Sequence, residues 1–432
     1  NVDALQSATI NAEANASAAS NGELAGGGAR AEAVVGSTTD AKVSAATFEV
    51  DGTLTVSADS ASVADAIVGA DADGAGSAEA GAIALITLSP VVHATMTGSD
   101  ITAGDVILRS QADQNAQSET KGFAAGGTAV GAAIAAGNLL SDVKAGLGNS
   151  VTLTADSLTV DVDNVDYLDL QSQAISGAGF LGIAGAYSRL NLDNQALAVM
   201  GDNNTVTVGA LSMDVDNRQD SDAQGLNLAF GLAAGSGALV INAIDSVADI
   251  RIGAANTLTA GRADLTTTND IVKQRYADQD NLRSGTGSLL GVTNLLSRTV
   301  VGSDGVFDIV EPAGREALPD DATISPASSR ISLGSGTTLA VTDGDLLMET
   351  DFNIRAVDSV RTEAIGGVVK TIGVSEIEAY TTTGVTLDGA TLSNPQGDIT
   401  IAGRTNGGIS QSSTLAAAGA AAGGRPDATG KF

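Results

Sequence analysis

Apolar and polar residues alternate with period two over several stretches of this chain. In LTVDVDN, residues 158–164, Leu158, Val160 and Val162 point one way and Thr159, Asp161 and Asp163 the other. LSMDVDN, residues 211–217, repeats the pattern 53 positions later: Leu211, Met213 and Val215 oppose Ser212, Asp214 and Asp216. Leu54, Val56 and Ala58 against Thr55, Ser57 and Asp59 give a third instance. Successive β-carbons of a strand leave on opposite faces, so this alternation predicts half-buried β-strands.

The pattern recurs at a fixed step. Moving 52 or 53 residues at a time lands on Val2, Leu54, Val106, Leu158, Leu211 and Ala263, and after one longer gap on Leu346 and Ile399. Two residues before these anchors stand Gly52, Gly104, Gly209, Gly261, Gly344 and Gly397, with Asp156 in the remaining place. Ten before stand Gly148, Gly201, Gly253, Gly336 and Gly389. Glycine accepts positive φ without steric cost and Asp is among the few others that visit that region, so both rows predict tight structural turns. Between them lie short strands such as SVTLTA (150–155), NTVTVG (204–209) and NTLTAG (256–261). A looser glycine band follows each anchor, as at Gly126 and Gly127, Gly177 and Gly179, and Gly366 and Gly367.

Short strands, glycine corners and a long fixed step predict an all-β fold: a β-solenoid (parallel β-helix) of about eight repeats of 52–53 residues. The glycine content, the scarcity of Glu and Lys, and the Val/Thr alternation argue against a helical chain. A repeat of this length has a contour of about 170 Å, which fits one wide flattened turn or two turns of ordinary girth. Eight repeats would then stack to about 40 Å or about 80 Å. The gap between Ala263 and Leu346 holds about 30 extra residues, with three of the six prolines and a denser mix of charges. The expected organisation is therefore solenoid over 1–272, an irregular insertion over 273–330 and solenoid again over 331–432. Insertions are where repeat arrays often carry recognition.

Composition narrows the function. Fifty-one acidic residues against 21 basic give a net charge of −30. Such a surface repels nucleic acid and anionic lipid, so neither is an expected partner. Aromatics are 3% of the chain, so small side chains must fill most of the interior. There is no cysteine and hence no disulfide. The longest apolar run, GFAAGGTAVGAAIAAGNLL at 122–140, contains GxxxG, but five of its 19 residues are glycine and no membrane span is expected. The chain begins at Asn1 without a leader peptide, as a mature segment or an excerpt would.

Reactive groups are sparse. His93, in SPVVHATM, is the only histidine, and any Ser–His–Asp triad would have to pass through it. Near the end, GRPDATGKF has neither the glycine spacing nor the final Ser or Thr of a phosphate loop. Asp161 and Asp163 share a face with Asp214 and Asp216 one repeat on, and stacking would bring like charges together. Calcium, which takes oxygen ligands, is the one ion these four carboxylates suggest, and no other cofactor is required. Ser57, Arg109, Thr266 and Glu349 at the equivalent places dilute the repulsion, and no calcium-repeat or EF-hand motif occurs. Thr152 with Thr154, Thr205 with Thr207, and Thr257 with Thr259 form outward pairs on successive strands. They are similar to the threonine arrays of β-solenoid ice-binding proteins, although Thr is also a common resident of exposed strand faces.

Segments such as VTLTADSLTVDVDN (151–164) and VADIRIGAANTLTAG (247–261), with Gly/Ala runs like GGTAVGAAIAAG (126–137), resemble the bacterial giant filamentous adhesins. These are the haemagglutinin-like and leukotoxin-family exoproteins, whose bodies are repeated β-helical coils. The resemblance covers nearly all of the chain outside the insertion and supplies no catalytic residue. It implies a structural or adhesive segment of a large secreted or surface-displayed bacterial protein, acting as a stalk or filament subunit. The implied partners are itself, further repeats, surface glycans or another cell. Two alternatives stand beside it: a carbohydrate-active enzyme on a β-helix, which the absence of Trp and the four Tyr disfavour, and a ligand-binding module acting through 273–330.

Overall fold

The computed structural model describes residues 1–274, 280–302 and 327–431. Fifteen described strands form one parallel sheet wound into a β-solenoid of eight coils. Coil 1 comprises β1 (Val2–Ser20) and β2 (Leu24–Ser44), and coil 2 is β3 (Thr47–Thr97). Coil 3 comprises β4 (Asp100–Leu139) and β5 (Asp142–Leu147); coils 4 and 5 are β6 (Thr152–Met200) and β7 (Thr205–Ile252). Coil 6 joins β8 (Thr257–Lys273), β9 (Leu282–Val301) and β10 (Ala327–Leu333). Coil 7 joins β11 (Thr338–Val341), β12 (Leu346–Ala379) and β13 (Thr381–Leu387), and coil 8 joins β14 (Thr391–Ser393) and β15 (Ile399–Lys431).

Each repeat is one coil, so the wide, flattened turn is the correct one of the two geometries the contour allowed. In coil 4 an outgoing run, 158–176, faces a returning run, 182–200, across a sharp bend at 177–181, and the short strand of Thr152–Ala155 closes the other end. Eight coils at about 4.8 Å give a stack of about 38 Å.

The anchors form one column. Leu54 pairs with Val106, Val106 with Leu158, Leu158 with Leu211, Leu211 with Ala263, Ala263 with Leu346, and Leu346 with Ile399. From Leu54 to Leu346 all are buried; Ile399, on the last coil, is 44% exposed. The first anchor is corrected: Val2 pairs with Val56, two residues beyond Leu54. A two-residue slip keeps inward residues inward, so alternation alone cannot detect it.

The glycine rows need correcting too. None of Gly52, Gly104, Gly209, Gly261, Gly344 and Gly397 has positive φ. They lie at a corner where the ladder skips a residue and backbones of adjacent coils close in. A β-carbon at Gly209 would lie 2.8 Å from the Asp156 carbonyl oxygen, and one at Gly261 would lie 2.5 Å from that of Gly209. Gly52, with nothing near it, is the exception. Left-handed backbone occurs at a neighbouring corner instead: Ala45, Gly98, Ser150, Asn203, Ala255, Gly336 and Gly389. The second row therefore mixes two columns. Gly336 and Gly389 are left-handed, whereas Gly148, Gly201 and Gly253 stack closely under Gly334.

The segment 273–330 is not irregular throughout. β9 lies in the ladder, pairing with 225–244 of β7 and 360–379 of β12. The register locates the extra residues. The step is 52 at Ser221 to Lys273, 57 at Gly225 to Leu282 and 81 at Val247 to Ser328. The step thus grows by five residues before β9 and by 24 more after it. Residues 275–279 and 303–326 of the 273–330 segment lie outside the described residues.

Two apolar clusters fill the coil. Near the bend, Ala64, Ala66, Ala133, Ala184 and Ala234 dominate, and small side chains let the facing runs approach closely. At the anchor end Val, Leu and Met prevail, with Leu158, Val160 and Val162 packed among Ala196, Ala198 and Met200. Residues 122–139 of the apolar run lie at the bend as part of β4, and no described helix is long and apolar enough to cross a membrane.

Candidate functional site

A buried polar seam separates the two apolar clusters. It arises because the inward phase of the outgoing run continues past Val162 into Asn164 and Asp166, both fully buried. Asn164 Nδ2 donates to Asn217 Oδ1 of the next coil at 2.9 Å and to Asp166 Oδ2 at 2.5 Å. Across the interior, Asn194 Nδ2 donates to Asp166 Oδ2 at 2.5 Å and Ser141 Oγ to Asp166 Oδ1 at 3.0 Å. One coil further, Asn217 Nδ2 donates to Ser246 Oγ at 3.0 Å, and Ser246 Oγ to Asn269 Oδ1 at 2.7 Å. Asn269 Nδ2 then reaches the Ser328 carbonyl at 2.8 Å. The seam thus ties outgoing to returning runs over coils 3 to 6. Burial pushes the Asp166 carboxyl up to about 7, against the bonds from Asn164 and Ser141 that favour its charged form.

A second buried group lies nearer the bend. Lys273 and Asp358, both almost fully buried, approach to 3.5 Å, and Lys273 Nζ also donates to the Val357 carbonyl at 2.9 Å. Ser297 and Ser375 donate to Asp358 at 2.8 and 2.6 Å. Asp222 is pushed up to about 8, chiefly by burial, with Lys273 opposing the shift and the stacked Asp169 adding to it. These carboxylates are committed to neighbours in the coil, as structural polar networks are.

The surface carboxylates stack as the repeat requires. Asp161 pairs with Asp214 and Asp163 with Asp216. Arg109 lies 3.3 Å from Asp161 on one side, and Thr266 donates to Asp214 on the other. Partial burial raises Asp161 and Asp163, and it carries Asp216 to about 6 with help from the nearby charges of Asp163 and Asp270. Among the described residues, however, no group of three or more acidic or histidine side chains is arranged to hold a metal ion. The calcium expectation thus has paired carboxylates and no coordination shell.

The threonine array is longer than its three sequence pairs. Thr152, Thr205, Thr257, Thr338 and Thr391 form one column, and Thr102, Thr154, Thr207 and Thr259 a second. His93 Nε2 is 3.3 Å from Oδ2 of the buried Asp142, a contact outside hydrogen-bond geometry. An open groove of about 790 Å³ runs along the last three coils, lined in part by Asp270, Asn353 and Asn406. Asn406 Nδ2 donates to Asn353 Oδ1 at 2.8 Å and Asn353 Nδ2 to Asp270 Oδ1 at 2.6 Å, so the three side chains form one hydrogen-bonded ladder along the groove. The seam and groove were missed by sequence reasoning, although the inward parity of Asn164, Asp166, Asn217 and Asn269 was a usable signal for the first.

No family model, curated protein or solved structure matches the chain.

Proposed function

We propose that this chain is a rod-like structural segment of a large secreted or cell-surface bacterial repeat protein, serving as a stalk or filament subunit in attachment. The observation that carries the reading is the continuous column of paired anchors from Leu54 to Ile399. A column that continuous supports a mechanical spacer, because each coil is held to the next along nearly its whole contour. The polar groups inside the coil are used to lock facing runs together, which suits a scaffold. The acidic exterior suits an extended element that must not collapse onto other polyanions. Immunogold electron microscopy of the native bacterial surface tests this. Label on thin extracellular rods is expected, and label confined to the cell interior would overturn it.

A binding role through the 273–330 segment is the second reading, favoured by the open groove that Asp270, Ile271 and Val272 line just before that segment in the chain. Glycan binding that disappears when 275–279 are deleted, with the fold intact, would select it over a passive stalk.

A further inference from the structure

The bend edge differs from the rest of this acidic molecule. In coils 4, 5 and 6, residues 170–188, 223–244 and 284–297 contain no Asp, Glu, Lys, Arg or His. Yet this edge exposes Phe180, Leu232, Leu289, Leu290, Val292 and Val368, each at half or more of its surface and Phe180 at 69%. Taking roughly 150–200 Å² for a large apolar side chain, these six expose on the order of 600 Å², as much as the largest patch of a typical monomer. Phe230 and Ile365 beside them bring the band to about 800 Å², one side of a standard-size protein interface.

We propose that the bend edge is a self-association surface, through which two copies of this chain pair side by side. Charge narrows the choice of occupant. In a chain of net charge −30, most approaches bring carboxylates against carboxylates. Contact centred on the charge-free spans of coils 4 to 6 limits that repulsion and removes apolar surface from water. Ile365 and Val368 of coil 7 lie at the border of these spans, beside Glu363 and Lys370. Shape agrees with a twofold pair. Phe180, Leu232 and Leu289 crown the bends of three consecutive coils, whereas glycine, Gly127 and Gly367, occupies the corresponding bends on either side. A second copy running the opposite way sets Leu232 beside its own counterpart and lies Phe180 against Leu289 and the glycine-crowned bends, as an isologous interface requires. The charged rim is in place: Arg298 lies 3.9 Å from Glu376 and 3.6 Å from Glu378, bordering the band as polar residues border an interface core. The pairing stands whatever the rod attaches to.

Sedimentation velocity of the 432-residue chain between about 1 and 100 μM tests it. The expected result is a concentration-dependent rise from 42.5 kDa to twice that mass. Leu232→Asp with Leu289→Asp should weaken the dimer at least about a hundredfold, with unchanged circular dichroism. Because the chain has no cysteine, Leu232→Cys gives an independent measurement: mild oxidation should yield a disulfide dimer, while Thr207→Cys on the opposite edge stays monomeric. A wild-type chain that remains monomeric over this range overturns the proposal, as does a dimer that survives the Asp substitutions. Monomers that instead sediment with neutral phosphatidylcholine vesicles, and lose this with the Asp pair, would also overturn it by assigning the edge to a lipid surface.

Discussion

At the scale of single residues, Asp166 is the most informative position. Its pKa of about 7 in the folded chain lies above the ordinary 3.8, so between these values the folded state binds more protons than the unfolded state. The stability it contributes is complete below about pH 4 and is lost as pH rises through 7. Asp166→Asn should therefore change little at pH 4 and stabilise by about 2–4 kcal/mol at pH 8. The amide can still accept from Asn164 and Asn194 and can donate to Ser141. Urea midpoints at the two pH values check this, and a variant weaker at pH 8 would mean that the seam needs an ionised carboxylate. The seam was legible in part: every even position from Leu158 to Ser176 is buried, so parity carried past Val162 would have placed Asn164 and Asp166 inside. What parity cannot give is their partners. Asn194 and Ser141 come from the returning runs, and that juxtaposition depends on where the chain bends.

At the scale of elements, glycine serves two purposes that sequence alone does not separate. One column needs close stacking and another needs left-handed backbone, and both present as periodic glycine. Opposite responses to substitution should distinguish them. Gly261→Ala puts a methyl group 2.5 Å from the Gly209 carbonyl oxygen, so the coils must part locally, at a cost of about 1–3 kcal/mol. Ala255 has φ of 56°, where an L side chain is strained. Ala255→Gly should stabilise by about 0.5–1 kcal/mol, the left-handed penalty less the extra backbone entropy of glycine. Thermal unfolding of both variants checks the assignment, and two destabilised proteins would contradict it. The same ambiguity explains the register error at Val2. Alternation fixes which face a residue takes, and only the ladder fixes which neighbour it meets. β9 was hidden for a related reason: its step from coil 5 is 57, so a search at 52 or 53 passes over a segment whose strands are regular.

At the scale of the whole molecule, one coil per repeat makes length a direct consequence of repeat number, and this can be tested by excision. Thr152 and Thr205 are register partners, so removing residues 153–205 leaves Thr152 in the place of Thr205 and joins coil 3 to coil 5. The new neighbours are compatible: Arg109 meets Asp214, Ala112 meets Asn217 and Gln114 meets Gln219, each position keeping its inward or outward direction. In a nearest-neighbour array the loss is one internal interface and one coil, so the remainder should fold with a nearly unchanged thermal midpoint. The rod should shorten by about 4.8 Å, a single strand spacing, as measured by small-angle scattering. Deleting 26 residues, 153–178, would instead place the bend of coil 4 opposite the anchor end of its neighbours, and loss of the fold is expected. Were a repeat two turns of smaller girth, the half-length excision would be tolerated and the 53-residue excision would shorten the rod twice as much. The two deletions therefore discriminate between the geometries that the contour length alone leaves open.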